Sequence, residues 1–169
     1  MALALDPLYP ATYNSLGRTQ LRSKRWSEAE AAFRRTLEGA PNYALARFYL
    51  ATTLLLRGHK EAALKQIDLE SIEEARWAGR AAINHALGRE ADSAGALRRL
   101  TELGSANRAY LIACVHAYRG ESDAAFLWLE RAFTQRDGRL SGIKGDPFLR
   151  ALEEDPRYKA FLRKMKLPE

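Results

Sequence analysis

Apolar residues along this chain recur at helical spacing, in short stretches punctuated by single turn residues. Leu16 and Leu50, Ala29 and Ala63, and Phe33 and Ile67 are each 34 residues apart. At the same shift, Asp6-Pro7-Leu8-Tyr9 is answered by Ala40-Pro41-Asn42-Tyr43. A fixed period with helical spacing inside each copy predicts repeated pairs of amphipathic helices, each copy burying its apolar face against the next. Further along, Gly58 and Gly120, Ala63 and Ala125, and Ile67 and Leu129 are each 62 residues apart, so two periods have lost six residues. The loss is expected in the third unit or its joins.

The first full unit, residues 10–43, has Leu16 and Gly17 in its first helix and Ala29 and Phe33 in its second. Small residues at Gly17 and Ala29 allow close approach of the two helices, with Leu16, Phe33 and Leu37 expected to fill the space beside them. Trp26 and Ser27 open the second helix, and Pro41 ends the unit because it cannot continue a helix. The second unit, 44–74, repeats this with Leu50, Ala51, Leu54, Ala63 and Ile67, takes its turn from Gly58, and has no closing proline. The third, 75–105, is degenerate. Trp77, Ala81 and Gly88 mark its first helix, Ser93, Ala94 and Ala96 compete for the small position of its second, and Leu97, Leu100 and Leu103 are expected on one face. The fourth, 106–137, has Ile112, Ala113, Gly120, Ala125, Leu129 and Ala132 at matching places.

Residues 1–9 read as the end of a second helix with its terminating proline. The chain therefore begins mid-repeat, and at least one more repeat is expected ahead of it. Residues 138–169 break the pattern with two Asp-Pro pairs, Asp146-Pro147 and Asp155-Pro156. Each predicts a helix start, since Asp accepts from free backbone N–H groups and Pro suits the first helical position. Phe148, Leu149 and Leu152, then Tyr158, Phe161, Leu162 and Met165, supply apolar faces to cap the array.

Tyr13-x2-Leu16-Gly17, then Ala29-x3-Phe33 and Pro41, with Gln20 where a Tyr is usual, resembles the tetratricopeptide repeat. The resemblance implies an all-α fold: a right-handed superhelical solenoid of antiparallel helical hairpins with C-terminal capping helices. Residues 109–168, AYLIACVHAYRGESDAAFLWLERAFTQRDGRLSGIKGDPFLRALEEDPRYKAFLRKMKLP, resemble the closing segment of bacterial multidomain proteins. In those, such arrays follow a class III nucleotide cyclase, a winged-helix regulator or a protein kinase domain. This implies a protein-binding regulatory region of a signalling protein. No cyclase or kinase motif occurs in the chain, so no catalytic residue carries over.

In such a stack the first helices line a concave groove. Helical spacing projects Asn14, Arg18 and Arg22, then Phe48, Thr52 and Leu55, then Ala78, Ala82 and His85, and finally Tyr110, Cys114 and Tyr118 into it. The basic clamp that chaperone-binding members use for a C-terminal carboxylate is mostly missing, because Thr52, Ala78 and Ala82 stand at its places. The groove is expected to take a peptide or an apolar partner helix, unless the C-terminal helices or adjacent repeats fill it.

Composition narrows the alternatives. The net charge of +6 is spread as basic pairs beside glutamates, which makes a nucleic-acid surface a minor reading. Self-association, or packing on an upstream region, is the structural alternative. No apolar stretch approaches the ~20 residues of a bilayer-spanning helix and no secretory leader pattern is present, so a cytoplasmic location is expected. The single cysteine, Cys114, reads as a small buried hydrophobe. His59, His85 and His116 lack metal-ligand spacing, no Gly-rich phosphate loop or nucleophile elbow occurs, and neither cofactor nor enzyme chemistry is expected. Cys114 and His116 point to different faces of a helix and do not pair.

Overall fold

The computed structural model describes residues 9–104 and 108–168, and all regular structure among them is helical. Of the partial repeat expected over residues 1–9, residues 1–8 lie outside the described residues and Tyr9 begins the first helix. By compactness the chain divides into two units after Arg99. The first holds α1 (Tyr9–Arg22), α2 (Trp26–Gly39), α3 (Ala46–Leu56), α4 (Lys60–Asp68), α5 (Glu73–Ala86) and the opening of α6 (Glu90–Gly104). The second holds the end of α6, then α7 (Ala109–Tyr118), α8 (Ser122–Thr134), short 3-10 turns at Gly138–Gly142 and Arg150–Leu152, and α9 (Pro156–Lys164).

The same turn closes four helix pairs. Lys24, Gly58, Gly88 and Gly120 have φ of 61, 84, 71 and 77°, the left-handed region. The residue after each donates its N–H back into the preceding helix: Arg25 to Gln20, His59 to Leu54, Arg89 to Asn84 and Glu121 to His116, at 2.8–2.9 Å. This satisfies carbonyls that a helix end leaves open. The carbonyl of that same residue then starts the next helix by accepting from Ala29, Ala63, Ser93 or Ala125 at 2.9–3.0 Å. All four acceptor-bound residues are fully buried, as are their counterparts Ala51, Ala81 and Ala113 on the first helices, with Gly17 in the same position.

Successive turns are therefore 34, 30 and 32 residues apart. Four of the six missing residues fall between Gly58 and Gly88, where α4 has 9 residues against the 14 of α2. Among the three competitors in the third unit, Ser93 occupies the small position, and its hydroxyl donates to the Ala81 carbonyl at 2.7 Å.

Small residues set how closely the helices approach. A Cβ on Gly17 would lie 2.7 Å from the Phe33 ring, and one on Gly79 would lie 2.4 Å from Ile67. The Gly17 position is alanine where the facing residue is the smaller Ile67, Leu97 or Leu129, so ring size and the missing methyl offset each other. Leu16 does not join this core: it is 44% exposed, because its face of α1 turns away from α2. Leu103 is also exposed, in contrast to buried Leu97 and Leu100. Each three-residue step turns a helix by about 300°, so the third leucine has rotated off the face of the first.

Ion pairs and caps tie successive pairs in the first unit. Glu30 on α2 pairs with Arg34 at 2.9 Å and with Arg57 at the end of α3. Asp68 on α4 accepts from Arg80 on α5 at 2.7 Å. Buried Glu70 accepts from the Phe48 N–H at 3.0 Å and the Ile72 N–H at 2.9 Å, so one carboxylate caps the starts of both α3 and α5. Burial alone would push the Glu30 carboxyl up, but hydrogen bonds from Arg34 and Arg57 outweigh it and hold the group below its ordinary value.

In the second unit, α8 packs on α7 and the C-terminal segment folds back onto α7 through its 3-10 turn at Arg150–Leu152. Ile143, Leu149 and Leu152 are fully buried there. The two Asp-Pro pairs differ. Asp155 begins α9 as expected, accepting from the Arg157 N–H at 2.9 Å. Asp146 does not begin an α-helix: it accepts from the Phe148 N–H at 3.0 Å within a turn, because its second oxygen is drawn to α7.

Gly17→Ala should lower stability by about 1–3 kcal/mol in urea denaturation. Phe33→Leu in the same chain should recover part of that loss, giving a double-mutant cycle far from additive. Glu30→Gln should cost about 0.5–1 kcal/mol near neutral pH. Since the folded Glu30 pKa is lowered, that contribution is present above the unfolded carboxyl pKa and is lost as pH falls through the folded one. The stability gap between the two proteins should therefore close below about pH 4.

Candidate functional site

The first helices carry the twelve positions projected to line a groove, and the two units treat them differently. On α1, Asn14 is buried, with its Oδ1 lacking a hydrogen-bond partner. One and two turns on, Arg18 and Arg22 are exposed. The Arg18 guanidinium lies 5.3 Å from the centre of the Tyr49 ring, which stacks on Phe33 at 5.6 Å and meets Phe48 edge-on at the same separation. Phe48 is half-buried and held at its backbone by Glu70. Thr52, Leu55, Ala78 and Ala82 are buried. His85 is half-buried, with Nδ1 3.0 Å from Glu90. The accessible part of this face in the first unit is therefore Arg18, Arg22 and Phe48, with His85 beyond them.

In the second unit the projected face of α7 is occupied by the chain's own C-terminal segment. The Tyr110 hydroxyl donates to Asp146 Oδ2 at 2.8 Å, and the Cys114 thiol reaches the same oxygen at 3.8 Å. Tyr118 lies with its ring centre 5.0 Å from that of Phe148. Tyr158 of α9 donates its hydroxyl to the Ile143 carbonyl at 3.0 Å, fixing the segment from the other side. Burial, then the neighbouring Cys114 and Asp146, push the Tyr110 pKa well up. Burial and the Asp146 carboxylate do the same to the Cys114 thiol, which stays protonated and unreactive. Tyr110, Cys114 and Tyr118 thus pack against the chain's own C-terminal segment.

Two carboxylates that organise these faces, Glu70 and Asp137, escaped the sequence reading, and Asp146 reads there only as a helix start. Asp137 lies just past α8 and accepts from the Tyr110 N–H at 3.3 Å and from the Arg139 N–H at 3.0 Å. It caps α7 from the end of α8, as Glu70 caps α3 from the end of α4. A sequence signal exists in retrospect, since both are lone acids immediately after a second helix. On the exposed face of α2, Glu28 lies 3.5 Å from Arg25. His116 pairs through Nδ1 with Glu121. Burial would raise the Glu121 carboxyl, yet hydrogen bonds from Arg119 and His116 leave it lowered. No protein-family model matches this chain, and no curated protein matches its sequence.

Asp146→Ala should cost the second unit about 1–3 kcal/mol, because it strips an acceptor from a buried phenol and thiol together. Labelling of Cys114 by a thiol reagent, negligible in the native protein, should accelerate in this variant in step with its increased opening.

Proposed function

We propose that this chain is a tetratricopeptide-type solenoid serving as a protein-interaction scaffold, with its ligand held along the first helices of the first unit. The observation that carries this reading is the fourfold recurrence of one turn geometry, with a small buried residue five positions after each left-handed residue. Stacked hairpins of this kind gain a continuous surface and need no chemistry of their own. Within it the ligand site is Arg18, Arg22 and Phe48, the accessible part of that face; the two arginines would favour acidic flanks, and Phe48 would give an apolar anchor. Tyr110, Cys114 and Tyr118 are left out of this site, because the C-terminal segment takes the polar groups of the first two and lays the Phe148 ring against the third. Service within a larger bacterial signalling protein rests on the resemblance of residues 109–168 alone.

Proteins captured from a bacterial lysate by the purified chain should be lost by about tenfold or more on combining Arg18→Ala with Phe48→Ala, with helicity unchanged by circular dichroism. Equal capture by both forms would remove the site from this face.

A further inference from the structure

The sides of α8 are used unequally. Ala125, Leu129 and Ala132 are fully buried where α8 packs on α7. On another side the Arg157 guanidinium lies 4.4 Å from the centre of the Phe126 ring and Phe133 meets Phe161 at 6.1 Å, so α9 covers that side. Leu127 belongs to neither contact: it is 71% exposed, the most exposed large apolar side chain among the described residues. At the same place, two positions after the small buried residue, the earlier second helices carry Ala31, Lys65 and Gly95, the first two exposed and the third half-buried. Packing within a pair therefore requires no large apolar side chain there, and α8 alone has one. Half-buried Ala124 and Trp128 flank it.

The charges beside Leu127 are arranged about it. Asp123 stands four residues before it and Arg131 four residues after, about one turn to either side on the same helical stripe. Asp123 accepts from Arg157 through Oδ1 at 2.7 Å, yet its side chain is 96% exposed. Exposed Arg131 has no carboxylate partner among the described residues; its guanidinium lies 4.8 Å from the centre of the Trp128 ring, and a stacked guanidinium keeps its N–H edge for a carboxylate. When two such stripes pack antiparallel about a two-fold axis at Leu127, that leucine meets its own copy, and Asp123 of each chain meets Arg131 of the other. The stripe is thus its own complement. A uniformly acidic or uniformly basic partner would satisfy one end of it and repel the other.

We propose that α8 is a self-association surface, through which two copies of this chain pair antiparallel by Asp123, Leu127 and Arg131. Leu127 and Trp128 supply the apolar burial, and the two crossed ion pairs set orientation and register. One helix face buries less than the roughly 1,200 Å² of a standard stable interface, so the association is weak, with a Kd of about 10–500 µM. This surface lies on the second unit and is independent of the ligand site proposed on the first.

Sedimentation equilibrium of the whole chain from about 5 to 800 µM should show a monomer–dimer equilibrium within that range. Leu127→Glu, which sets two carboxylates against each other at the axis, should weaken it by about tenfold or more. Asp123→Lys and Arg131→Glu should each weaken it by about threefold or more, since each places like charges opposite one another. An equimolar mixture of these last two variants, whose stripes are complementary, should form mixed dimers at about the original strength. All three substitutions are at exposed positions, and circular dichroism checks that the fold persists. A monomer at every concentration overturns the proposal, as does a dimer that Leu127→Glu leaves intact, which assigns association to another surface. A mixture no stronger than either variant alone also overturns it, because the antiparallel two-fold pairing requires that recovery.

Discussion

Close approach of two antiparallel helices at a position where neither carries a large side chain is the constraint on which this structure depends. At the first pair, Gly17 gives the Phe33 ring its place, and no methyl group fits between them. In the later pairs alanine returns on the first helix as the facing residue shrinks to Ile67, Leu97 or Leu129. The turn that precedes each second helix fixes the register of this contact, because its left-handed residue sets where the next helix begins. Everything else in a pair can vary, and much of it does: α4 is five residues shorter than α2 without disturbing the turn before it or the buried Ala63.

A carboxylate follows the short α4. Every helix start leaves backbone N–H groups open, and Glu70 supplies one oxygen to each of α3 and α5. Asp137 does similar work at the start of α7. Both are buried, and a buried carboxylate is tolerable only where such donors compensate its lost hydration. Asp146 extends the pattern to side chains, drawing a phenol and a thiol of α7 onto the C-terminal segment.

These contacts give the proposed scaffold an uneven surface. The α7 face is committed to internal packing, with fully buried Ile143, Leu149 and Leu152 making the C-terminal segment part of the core of its unit. The α1 face keeps exposed arginines and a half-exposed Leu16. The proposed ligand site therefore lies on the first unit.

The sequence by itself determined the helical class, the pairing of helices and the turn at Gly58 with its match at Gly120. Apolar periodicity and small residues act locally, within one pair, and they repeat legibly from Gly17 and Ala29 to Ala113 and Ala125. The degenerate third pair was readable only to within three candidates, since Ser93, Ala94 and Ala96 differ little in size until the Ala81 carbonyl selects a hydroxyl. Whether Leu16 and Leu103 are buried, and whether Tyr110 and Cys114 face a partner or their own chain, depends on which element arrives against them from a distance in sequence. Asp146 reaches α7 across 36 residues, a separation at which spacing rules carry no information. Only the tertiary structure could decide those contacts, because the same helical face is stable either covered by its own chain or open to another.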